Sequence, residues 1–166
     1  MGTAVSDFNN LPAELAVKQL LSCCASTAWA RRVAAGRPYS DRDAVLEVAE
    51  RAFSGLTWAE VGQALDAHPR IGERAAGPSP EAAWSRREQS GVGTAGDDVR
   101  AELAAVNRDY EERFGYLFLI HASGRSAEEM LAEARRRLRN DPRAEQAEVR
   151  RELGRIALNR LASLLS

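Results

Sequence analysis

The sequence predicts an all-α protein, a single-domain bundle of about seven to nine helices over residues 1–166. Three observations carry that expectation. Helix start signals recur along the whole chain: Thr57 with Glu60 and Ser126 with Glu129 read as capping boxes, and Pro12, Pro80 and Pro142 suit first turns. Apolar residues return at helical spacing, as in Val149, Leu153, Ile156 and Leu164. Only Tyr116–Ile120 reads as extended, and a lone short run has no partner with which to build a sheet.

Taken in order, Leu11-Pro12-Ala13-Glu14 opens the first expected helix, which carries Leu15, Leu20 and Leu21. Thr27 is placed to cap a helix through Val33, stopped by Gly36-Arg37-Pro38. Ser40 with Asp43 resembles a capping box built on the shorter acid, and opens a helix through Val45, Val48, Ala49 and Phe53. The helix begun by Thr57 must stop near His68, because Pro69 disfavours helical geometry in the residue before it. After a flexible stretch over Gly72–Gly77, Ser79-Pro80-Glu81 starts a helix carrying Trp84 and Glu88, broken by Gly91–Gly96. Asp97 and Asp98 begin a long helix through Phe114, with Gly115 as terminator. Ser126 and then Asp141-Pro142 open the last two. Arg135-Arg136-Arg137 reads as a solvated face of the first of these.

Composition narrows the function. A chain of 166 residues with 45% apolar and 28% charged residues suits one soluble globular domain with a real core. Lys plus Arg number 23 against 24 Asp plus Glu, a formal charge of −1, which argues against a nucleic-acid binder and gives no reason to expect a membrane partner. Met1–Asn10 lacks the charged and apolar regions of a secretory signal. The longest apolar run, Tyr116–Ala122, falls far short of the roughly 20 residues that span a bilayer. The closing Ser163-Leu164-Leu165-Ser166 is not a peroxisomal signal, so the expected location is the cytoplasm. Cys23 and Cys24 are adjacent and cannot staple distant segments; with two histidines they fall short of a zinc site, and they are expected as reduced, buried thiols.

Phosphate loops, zinc-protease and nucleophile-elbow motifs are absent, leaving polar residues at element boundaries. His68, at an expected helix C-terminus and fixed against Pro69, is suited to donating a proton near neutral pH; the same position suits a plain C-cap without chemistry. Ser85, Glu88 and Gln89 share a helix face between Arg86 and Arg87, and read either as a polar site or as a solvated face of mixed charge. Arg125, beside a helix N-terminus, suits an anion such as a carboxylate, or is an ordinary surface arginine.

Together, Ala67-His68-Pro69-Arg70-Ile71-Gly72, Ser85-Arg86-Arg87-Glu88-Gln89-Ser90-Gly91 and the run from Phe114 to Ser126 resemble the 2-oxo-4-hydroxy-4-carboxy-5-ureidoimidazoline (OHCU) decarboxylase family. Phe8-Asn9-Asn10-Leu11, Cys23-Cys24-Ala25-Ser26, Leu56-Thr57-Trp58 and Arg139-Asn140-Asp141-Pro142 extend the likeness over nearly the whole chain. The resemblance implies an all-helical homodimer that needs no metal or organic cofactor and converts the small molecule OHCU to (S)-allantoin. It implies that His68 is the catalytic histidine and Glu88 its partner. It places Pro69, Ser85, Arg86, Arg87, Gln89, Phe118, Leu119, Ile120, His121 and Ala122 at substrate-contacting positions, with Arg125 beside the site. Position 121, commonly cysteine in the family, is histidine here.

The chemistry agrees with that implication. A carboxylate on the carbon next to a C=N bond can leave its electron pair in the ring, so no pyridoxal or thiamine sink is required. The protein would supply orientation, a dry pocket and a proton on one face. The rivals are another helical enzyme acting on a ureido or hydantoin compound, which chiral analysis of the product separates, and a non-catalytic helical relative.

Overall fold

The computed structural model describes residues 4–73, 77–93 and 95–166. Among them the chain forms ten helices and no strand, and divides into two compact units: residues 1–67 with 154–166, and residues 68–153. Residues 1–3, and the parts of the expected loop over 72–77 and break over 91–96 that fall at 74–76 and 94, lie outside the described residues.

Unit 1 holds α1 (Ala4–Asn10), α2 (Ala13–Cys23), α3 (Thr27–Ala35), α4 (Arg42–Ser54), α5 (Trp58–Leu65) and the end of α10 (Pro142–Leu164). Its caps fall one residue away from two of the expected ones. Ser26, not Thr27, accepts the Trp29 N–H to open α3, and Asp41, not Ser40, accepts from Ala44 to open α4. A residue with extended backbone just before the helix is what places a side-chain oxygen over the third amide, and Ser26 and Asp41 have it. Thr57 and Glu60 do form the reciprocal box that opens α5. Trp29 is fully buried, and its indole N–H donates to Ala49 O at 2.9 Å, joining α3 to α4. The unexpected α1 is held by Asn9, which exchanges two 2.8 Å hydrogen bonds with the backbone of Tyr39. Cys23 and Cys24 are buried free thiols, and burial pushes Cys24 up to about 11.

Unit 2 holds α6 (Pro80–Glu88), the four-residue α7 (Ser90–Gly93), α8 (Asp97–Phe114), α9 (Ala127–Arg137) and most of α10. Ser79 caps α6 and the Ser126–Glu129 box opens α9. Gly115 ends α8 at φ +82°, a left-handed conformation that a residue without Cβ adopts at little cost. The core of the unit gathers Ile71, Val92, Leu103, Tyr110, Phe118, Ile120, Met130 and Ala134. One expectation fails clearly. Arg137 is 1% exposed, not solvated, whereas Arg135 and Arg136 do face solvent. The reason is its register: Arg137 shares the buried stripe of α9 with Met130 and Ala134, and Glu145 on α10 supplies its counter-charge.

Candidate functional site

All thirteen residues singled out by the sequence fall within unit 2, and the structure ties their three segments to one another. The first segment follows α5. That helix ends at Leu65, with Asp66 as its C-cap and Ala67 N–H closing a last tight turn onto Ala64 O. His68 therefore stands beyond the helix terminus rather than in its last turn, where the helix dipole has largely faded. His68 and Pro69 are half-buried. The residues after them are anchored on α8: Arg70 Nε donates to both carboxylate oxygens of Glu111 at 3.1 and 2.9 Å, and Asn107 Nδ2 donates to Ile71 O at 2.7 Å.

The second segment is the end of α6. Ser85 is buried, Glu88 and Gln89 are half-buried, and Arg87 is exposed with its guanidinium 4.5 Å from the centre of the Trp84 ring. Arg86 Nη1 donates to Gly77 O at 3.0 Å. Gln89 joins the first two segments, because its Oε1 accepts the Gly72 N–H at 3.0 Å. The turn just beyond His68 is thus pinned to the residue next to Glu88. The Gln89 Nε2 donors remain for another partner.

The third segment is the strap from Tyr116 to Arg125, which is neither helix nor strand. Gly91 brings it to the second: a Cβ at Gly91 would lie 2.4 Å from Arg125 O, a distance only a glycine permits. Phe118, Leu119, Ile120 and Ala122 are buried, and His121 is half-buried. Among the described residues the N–H groups of Phe118, Leu119 and Ile120 make no hydrogen bond to the protein. Buried amides are nearly always satisfied, so a run of three without protein partners stands out in this backbone. Arg125 Nε donates to His121 O at 3.1 Å, and its Nη2 stands 3.8 Å from Glu152, so this guanidinium is already partly engaged.

Beside the first segment lies a cleft of about 320 Å³ lined by Arg70, Gly72, Asn107, Arg108 and Glu111 among others; His68 and Glu88 are not among its lining residues. Among the described residues no group of three or more His, Cys, Asp or Glu could hold a metal ion, and no helix is long and apolar enough to cross a membrane. Sequence reasoning missed Arg137, Glu145 and Tyr110, which grip the strap from behind; the stripe positions of Arg137 and Glu145 were the available signal.

Comparison with known proteins covers most of the chain. The OHCU decarboxylase family model matches residues 9–162. The chain is 33% identical over 147 residues to the human "Putative 2-oxo-4-hydroxy-4-carboxy-5-ureidoimidazoline decarboxylase", covering 85% of this chain and 80% of that one. It is 32% identical over 148 residues to the "Uric acid degradation bifunctional protein TTL" of Arabidopsis thaliana, covering 87% of this chain and 45% of that one, so it spans less than half of the bifunctional relative. A crystal structure of OHCU decarboxylase in the presence of (S)-allantoin superposes with a TM-score of 0.77 at 26% identity, covering 89% of this chain and 96% of that one. Motif order, fold and comparison therefore agree, and this chain belongs to the OHCU decarboxylase family.

Proposed function

We propose that the chain decarboxylates 2-oxo-4-hydroxy-4-carboxy-5-ureidoimidazoline to (S)-allantoin, as a cytoplasmic homodimer without metal or organic cofactor, and that residues 1–166 act as one catalytic domain. The observation that carries the reading is the Gly72 N–H to Gln89 Oε1 hydrogen bond, which couples the His68 turn to the Glu88 helix end within a family member. The C–C bond to the carboxylate breaks, carbon dioxide leaves, and the electron pair enters the adjacent C=N bond of the ring. The ring nitrogen that receives the C=N electrons takes up a proton, His68 delivers a proton to the ureido-bearing carbon on one face, and the neighbouring hydroxyl releases its proton to solvent as it becomes the ring carbonyl. Glu88 orients His68 and supports its charged form. Gln89 Nε2, Ser85 and the N–H groups of Phe118, Leu119 and Ile120 hydrogen-bond the ureido and ring amides, with Pro69 and the side chains of Arg86, Arg87, His121 and Ala122 bordering the site. Arg125, tempered by Glu152, attracts the anionic substrate.

The test is a coupled reaction. Added to urate oxidase with hydroxyisourate hydrolase, the chain should speed the decay of the ureidoimidazoline absorbance and yield optically active allantoin. Unchanged decay and racemic product would refute the assignment.

A further inference from the structure

The strap that offers its amides to the substrate has no helix or sheet to hold it, so its geometry must come from elsewhere. Behind it lies a charged cluster, unusual for its depth. Arg137 is 1% exposed and Glu145 is 0% exposed. Arg137 Nε and Nη2 donate to Glu145 Oε2 at 3.0 and 2.5 Å, Tyr110 donates its hydroxyl to the same oxygen, and Asn140 Nδ2 donates to Oε1 at 3.1 Å. The remaining arm of the guanidinium reaches the strap: Nη1 donates to Leu119 O at 2.5 Å. The same guanidinium covers the Phe118 ring at 4.8 Å, and Tyr110 meets that ring edge-on at 5.4 Å. Phe118 and Leu119 are thus fixed at ring and carbonyl together. Holding a carbonyl fixes the peptide plane, and with it the direction of the following N–H.

We propose that Arg137, seated by Glu145 and Tyr110, is a positioning residue for the reaction: by holding the Leu119 carbonyl it aims the Ile120 N–H at the substrate, and by covering the Phe118 ring it steadies the two amides before it, and so sets which face of the ring receives the proton. This inference rests on the reading that the strap contacts the substrate. A planar fork fixed at several points holds orientation in a way that a flexible ammonium does not. A small misalignment of binding groups then costs turnover and selectivity well beyond its effect on folding.

Parent, Arg137→Lys and Tyr110→Phe should be compared for kcat, KM, the optical purity of the allantoin formed, and the carbonyl carbon-13 shift of selectively labelled Leu119. Arg137→Lys is expected to keep a helical fold, shift the Leu119 carbonyl, lower kcat/KM by about tenfold or more and yield allantoin of reduced optical purity. Tyr110→Phe should change the same quantities in the same direction by less. A folded Arg137→Lys with parent kcat, KM and optical purity overturns the proposal. If Arg137→Lys does not fold, Tyr110→Phe decides by the same measures, and parent values there overturn it. A parent chain that leaves the ureidoimidazoline decay unchanged refutes the proposed reaction instead. In that event an unmoved Leu119 carbonyl in the variants overturns the positioning role on its own.

Discussion

His68 shows how little a residue says alone and how much its neighbours add. His68 lies past the end of the helix and gains little from its dipole, and Glu88 is the partner proposed for it. His68→Asn should keep the fold and reduce turnover by about a hundredfold or more. Glu88→Gln should also be impaired, and the double variant should be little worse than the weaker single one, since the pair acts as a unit. His121→Cys should stay near parent activity in the same assay; loss of turnover there, with His68→Asn intact, would name the other histidine. Gly91 makes a second test at this scale. Its missing Cβ is what lets Arg125 O approach, and backbone cannot swing aside as a side chain end would. Gly91→Ala should cost about 1–3 kcal/mol in a denaturant melt and weaken activity, because the strap would be pushed from the α6 end.

Among the elements, α9 and α10 are joined twice, by a buried pair and by an exposed one. On the surface, Arg136 donates to Glu133 on its own helix and to Glu148 on α10, and its proximity holds Glu133 below its ordinary value of 4.5. Glu148 is also lowered: burial raises it, and Arg136 with Asn140 outweighs that. A carboxyl depressed in the folded state adds stability that is complete above its unfolded value and is lost as pH falls through the folded one. Arg136→Ala should therefore lower Tm by about 2–4 °C at pH 7, the scale of roughly 1 kcal/mol for an exposed network, and the gap should close as a thermal melt is repeated at pH values below about 4. Much of this layer was legible in the sequence. The Thr57–Glu60 and Ser126–Glu129 boxes, Ser79-Pro80 and Gly115 all act as their residue types demand, because caps are local chemistry. Helix α1 and the single turn α7 were not legible, since Asn9–Tyr39 pairing and the Gly91 approach are tertiary contacts. Arg137 was misread for the same reason: three consecutive arginines look solvated until the apolar stripe is counted through the third.

For the molecule as a whole, the all-helical class followed from periodicity, whereas the division into two units did not, because it depends on which helices meet. Every residue proposed for the site lies in unit 2, and among the described residues no cluster of metal ligands accompanies them. Activity should accordingly survive dialysis against a strong chelator, with no flavin, pyridoxal or thiamine absorbance in the active fractions; activity lost to the chelator and restored by added metal would contradict the proposed chemistry. The path of α10 has a consequence in time. Unit 1 needs residues 154–166, while unit 2 is complete by residue 153. During synthesis every residue of unit 2 is therefore made before the last residues that unit 1 packs around.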